Sequence, residues 1–61
     1  MFYVNVIKFY RPKEAERIAK MMTETDEDWS YILKPDPKGT GDFSIEIYDE
    51  EKEFVGYFNF L

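Results

Sequence analysis

Thirteen carboxylates stand in a chain of 61 residues that has no histidine and no cysteine. That combination decides which chemistry is open. Without an imidazole there is no base for Ser-His-Asp or Cys-His catalysis. Without thiolates or imidazoles there is no zinc set and no disulfide. Carboxylate chemistry remains. Nine of the acids fall in two groups: Glu24, Asp26, Glu27 and Asp28, then Asp49, Glu50, Glu51 and Glu53 with Glu46 nearby. Paired carboxylates catalyse only where a cleft raises one pKa, and so short a chain leaves almost no room for a cleft. An enzyme is not expected. Asp26, Glu27 and Asp28 could hold Ca²⁺ or Mg²⁺ weakly, but no Asp-x-Asp-x-Asp-Gly loop ends in a Glu here. Neither a specific metal site nor a cofactor is expected. The segment Pro35-Asp36-Pro37-Lys38-Gly39-Thr40-Gly41 has glycines and a lysine like a phosphate loop. It lacks the Gly-x-x-x-x-Gly-Lys spacing, and no helix follows to offer its N-terminus, so it reads as a turn.

The same acids can act as a surface. Carboxylates on a hairpin can be spaced like the phosphates of a nucleic acid and meet a basic partner, as a DNA mimic does. The plainer reading is a solvated tip that discourages edge aggregation. Charge is uneven: residues 1–20 carry +3, residues 21–61 carry −8, and the net is −5. Such a molecule repels nucleic acid and anionic membrane at long range. A stripe of Lys13, Arg17 and Lys20, with Lys8 and Arg11 near it, could still meet phosphates while tyrosines stack bases. Weak single-stranded nucleic-acid binding is therefore an alternative, not the expectation. No apolar run is long enough to span a membrane, and no signal-peptide pattern is present. A soluble, cytoplasmic protein is expected.

These residues need elements to hold them, and a single small domain over 1–61 is expected. Twelve aromatic residues supply large rings for a core that has no staples. Residues 2–10 read as a strand, apolar on both faces and so covered on both sides. Pro12 suits the first helical position and Glu14 can cap backwards. Ala15, Ile18, Ala19 and Met22 share one helix face, which predicts a helix from Pro12 to Thr23. The acidic loop 24–28 follows its C-terminus and basic residues crowd its N-terminus. Both placements set charge beside a helix end of the same sign, which the helix dipole disfavours. Trp29 to Lys34 reads as a strand. Asp42 to Tyr48 alternates with Phe43, Ile45 and Ile47 inward. Residues 49–52 connect it to a last strand, Phe54 to Phe60, with Phe54, Phe58 and Phe60 on one face and Val55, Tyr57 and Asn59 on the other.

The resulting fold class is α+β, in the order β-α-β-β-β. One helix packs on one face of a four-stranded, mostly antiparallel sheet. A right-handed crossover makes the first two strands parallel, and the first strand is placed beside the last. One helix covers one face only. The other should carry Tyr48, Val55, Tyr57 and Ile32, with Tyr3, Ile7 and Phe9 or their neighbours. An aromatic patch there reads as an interaction site, against the plainer reading that Tyr and Val simply favour exposed sheet faces.

The segment Asp28-Trp29-Ser30-Tyr31, then Asp36 to Gly41, then Ile47-Tyr48-Asp49-Glu50, ending Phe54-Val55-Gly56-Tyr57, resembles small uncharacterised proteins encoded by bacteriophages. Half of the chain, residues 28–57, carries the resemblance. It implies context: small acidic phage proteins are often made early and bind one host protein to inhibit or redirect it. The expectation is a non-enzymatic protein-binding module, an inhibitor acting by steric occlusion on a host protein with a basic, nucleic-acid-binding type of surface. Tyr48, Tyr57 and Trp29 are the expected anchors, with a place in the core as the alternative for Trp29. Asp26, Asp28, Glu50 and Glu51 are the expected rim. A homodimer joined face to face or through an edge strand is the alternative.

Overall fold

The helix forms where the apolar spacing puts it. In the computed structural model, which describes residues 3–59 (Tyr3 and Val4 by backbone only), α1 spans Pro12–Thr25. Pro12 stands at the helix start, where its missing N–H leaves nothing unpaired. Arg11 is the N-cap and gives no side-chain cap, while Glu14 stays exposed. The C-terminal end runs two residues past the expected Thr23. There the Thr25 hydroxyl donates to the Met21 carbonyl at 2.8 Å, and the Asp26 N–H closes the last turn on the Met22 carbonyl at 2.8 Å. Ala15 is fully buried, and Ile18, Ala19 and Met22 pack beside it.

Five strand segments make the sheet: β1 (Tyr3–Val4), β2 (Phe9–Tyr10), β3 (Ser30–Pro35), β4 (Phe43–Tyr48) and β5 (Phe54–Phe58). β4 lies at the centre. β3 pairs along its whole length, from Ser30↔Tyr48 to Pro35↔Phe43. The other edge of β4 is shared end to end by β5, through Glu46↔Tyr57 and Tyr48↔Phe54, and by β2, through Phe9↔Ser44. β1 then pairs with β5 through Tyr3↔Phe58. All four pairings are antiparallel, and the sheet is four strands wide.

The reading of 2–10 as one strand needs correction. β1 runs with β4 and β2 runs against it, so the chain reverses between them through a bend at Asn5–Val6. The Asn59 side-chain amide donates to the Val6 carbonyl at 3.3 Å and takes an acceptor that a continuous ladder would have used. Nor is this segment covered on both sides, since Val6 is 66% and Ile7 42% exposed. Phe2 and Phe60 lie outside the described residues. Beside the last strand, as expected, lies β1, while β2 and β3 are parallel across the helical crossover.

The core lies between α1 and one sheet face. Ile45 and Ile47 are completely buried there, with Tyr10, Tyr31 and Phe58 nearly so. Burying each isoleucine contributes about 1.5–3 kcal/mol. Tyr10 and Phe58 meet with ring centroids 5.9 Å apart, and the Tyr10 hydroxyl donates to the Phe58 carbonyl at 3.4 Å. The Tyr31 hydroxyl is buried without a hydrogen-bond partner among the described residues. Burial and the nearby Asp26 charge push its pKa up. An unpaired buried hydroxyl stabilises nothing, so Tyr31→Phe is expected to hold or raise stability by up to about 1 kcal/mol. Chemical denaturation checks this, and a loss larger than that would reveal a partner for the hydroxyl.

Candidate protein-binding face

Register assigns the sheet face away from the helix. Residues level with Glu46 and Tyr48 share it: Ile32 from β3, Tyr57 and Phe54 from β5. Tyr48 and Phe54 rings meet edge to face with centroids 5.7 Å apart at 68°. Phe54 and Tyr57 do the same at 5.2 Å and 71°. The three rings form one continuous cluster, with Phe54, 48% exposed, in the middle. Ile32 extends the apolar surface at 43% exposed.

Phe54 was expected inward and Val55 outward. The structure reverses both. Between Ile47 and Tyr48 the ladder with β5 slips, so Tyr48 faces Phe54 while Ile47 faces Gly56. The extra residue is Val55, which packs against the core. A bulge of this kind changes which side chains face outward on the strand that carries it. Phe54 is therefore the member of the patch that sequence reading missed.

The Tyr48 hydroxyl donates to Glu46 Oε1 at 2.7 Å. That bond raises the Tyr48 pKa, with lesser contributions from lost hydration and from the charge of Glu46. The protonated phenol is the form favoured by the fold, so the contribution of this bond to stability is present below the usual tyrosine pKa of about 10. It is lost as pH rises through the elevated value. In an ultraviolet titration, Tyr48→Phe is expected to remove a late-ionising tyrosine. Loss of an ordinary one would mean the bond is absent in solution.

Trp29 is half-buried and packs against the core from the helix side. Tyr48 and Tyr57 stand in the ring cluster. The rim residues do come together. Because Ser30 pairs with Tyr48, the 26–28 loop and the 49–53 hairpin lie at the same end of the sheet. Lys52 Nζ donates to Ser30 Oγ at 3.4 Å and ties the two. Asp28, Glu50 and Glu51 are exposed there, and Asp26 is half-exposed at the helix C-cap. Asp49 shapes the tip: its Oδ1 accepts the N–H of Glu51 at 2.9 Å and of Glu53 at 3.0 Å. Lys52 completes the turn at φ 67°. No basic residue lies in the last helical turn to offset this charge.

The opposite end is basic. Arg11, Lys13 and Arg17 line a shallow groove with Glu14, and Arg11 Nη1 lies 3.8 Å from Asp42 Oδ1. Between the strands, Asp36 organises the glycine-containing loop. Its carboxylate accepts from Lys38 N–H at 3.0 Å and from the Thr40 hydroxyl at 2.6 Å. Those bonds, Thr40 first, lower its pKa. Gly39 and Gly41 take φ of 75° and 88°, which L side chains adopt with strain. The loop is a turn held by its own residues. Among the described residues no group of three or more His, Cys, Asp or Glu is placed to hold a metal, and no helix is long and apolar enough to cross a membrane.

No family model, no curated protein and no solved structure matches this chain.

Proposed function

We propose that this chain is a non-enzymatic protein-binding module, a small acidic inhibitor or modulator of the phage type that covers a basic surface of a host protein in the bacterial cytoplasm. One observation carries the reading. The Tyr48–Phe54–Tyr57 cluster lies on the sheet face that α1 leaves open, and it abuts the acidic hairpin 49–53. Aromatic anchors with a charged rim are the usual anatomy of a protein interface. Occlusion is the mechanism that a patch without a cleft can exert.

A tagged pull-down from nuclease-treated bacterial lysate, washed at low and moderate salt and identified by mass spectrometry, tests this. One stoichiometric host protein that Tyr57→Ala no longer retains is the expected result. Release of that protein by salt would assign the hold to the acids. A blank at both salts removes the reading for that host. The homodimer is the second reading, because the outer edge of β3 carries the exposed Ile32 and has no strand paired to it among the described residues. Light scattering that gives a dimer unchanged by dilution would favour it.

A further inference from the structure

The ring cluster has a chemistry of its own. Its rings meet edge to face, so the negative face of one ring is aligned with the positive edge of the next. Phe54, the central ring, is still half-open to solvent. Beside it, Glu46 uses one carboxylate oxygen to accept from Tyr48, and its other oxygen makes no hydrogen bond among the described residues. Beyond the Tyr48–Phe54 pair, the hairpin that joins β4 to β5 carries Asp49, Glu50, Glu51 and Glu53. Exposed aromatic faces beside an under-used carboxylate, in a negative field, complement a cation that is itself planar and apolar on its faces.

We propose that Tyr48, Phe54 and Tyr57, with Glu46 at their margin, form a seat for an arginine side chain of the partner. Arginine fits better than lysine. Its guanidinium stacks flat on a ring while its edge N–H groups reach a carboxylate, whereas an ammonium is compact and strongly hydrated. Lys34 lies on the same face, level with Ser44, two residues along β4 from Glu46. At the hairpin end the acids outnumber one cation, Lys52, whose Nζ is turned to Ser30 Oγ at 3.4 Å. The proposal rests on the protein-binding reading and sharpens it, since the partner's basic surface must present an exposed arginine.

The test uses the intact, isotope-labelled protein and two Gly-Ser peptides, one with two adjacent arginines and one with two lysines. Backbone NMR shifts are expected at Glu46, Tyr48, Phe54 and Tyr57, with the arginine peptide binding about two- to five-fold more tightly, the size of an exposed cation–π contact. Phe54→Leu, which keeps an apolar side chain at an exposed site, is expected to erase that preference. Glu46→Gln, which still accepts from Tyr48, should weaken the arginine peptide alone. Undisturbed spectra elsewhere show that both variants fold. Equal binding of the two peptides, shifts confined to Glu50, Glu51 and Glu53, or an unchanged preference in Phe54→Leu would each overturn the seat. So would self-association, by which a second copy filled the seat. The two proposals fail separately. A host protein that binds Phe54→Leu and Glu46→Gln as tightly as the native chain removes the seat and leaves the module. An arginine preference with no host protein captured leaves the seat and removes the module for that host.

Discussion

Ile47→Ala is expected to remove a large fraction of the stability of the domain and to lower its melting midpoint by about 10 °C or more. Ile47 is fully buried, opposite Tyr31 on one side and Gly56 on the other. Truncating a buried isoleucine costs about 2–5 kcal/mol, because the cavity collapses only in part. A domain of this length has about 3–9 kcal/mol in all, at roughly 0.05–0.15 kcal/mol per residue. The single change therefore removes a large fraction of the total. Far-ultraviolet circular dichroism on heating would register it, since each kcal/mol moves the midpoint by roughly 4–8 °C in a domain this small. Ile32→Ala is the control. Ile32 has the same chemistry, one strand away, but is 43% exposed on the opposite face. It should cost under about 1 kcal/mol. Equal losses at the two positions would mean that Ile32 is covered as Ile47 is, and a larger loss at Ile32 that the sheet faces are assigned the wrong way round.

Tyr57→Ala separates binding from folding. Tyr57 is half-exposed and touches Phe54 edge to face at 5.2 Å. That ring contact is worth about 0.5–1.5 kcal/mol, which sets the expected loss of stability. An anchor at the centre of an interface is worth about 2 kcal/mol or more on truncation, some thirty-fold in affinity. Isothermal titration against the captured partner, beside a denaturation curve of the variant alone, reads both. A variant that folds and binds as the native chain does would remove Tyr57 from the interface. A variant that fails to fold would place Tyr57 in the core.

The contrast between these two residues also marks what could be read from sequence. Ile45 and Ile47 were legible because a strand alternates and its neighbours in sequence declare the period. Ala15, Ile18, Ala19 and Met22 were legible for the same reason on a helix. Phe54 was not. Its face depends on a bulge, which is a property of two strands in register and leaves no mark in the residues of one. The break at Asn5–Val6 was hidden in a similar way: a run of apolar residues favours a strand, and only the distant Asn59 side chain shows where the ladder is interrupted. Tyr48 and Tyr57 were found because the helix was correctly assigned to the face opposite them. For Trp29, size and hydrophobicity suit an anchor and a core residue equally, and the packing of α1 and β3 decided for the core margin.

The two ends of the molecule differ in charge. The acids from Glu24 to Asp28 and of the 49–53 hairpin gather where α1 ends, and Arg11, Lys13 and Arg17 line the groove where it begins. Each group sits beside a helix end of its own sign, which costs a little stability, but the charge separation then points the same way as the helix dipole and the two moments add. The molecule therefore has a direction before it touches anything. Within a screening length of about 8 Å at physiological salt, a basic partner meets the hairpin end first. The rings beside that hairpin then need only a small rotation to dock. Encounter and retention thus fall to different atoms. The rate of association should drop as salt is added, while the lifetime of the complex, set by the buried rings, should barely change.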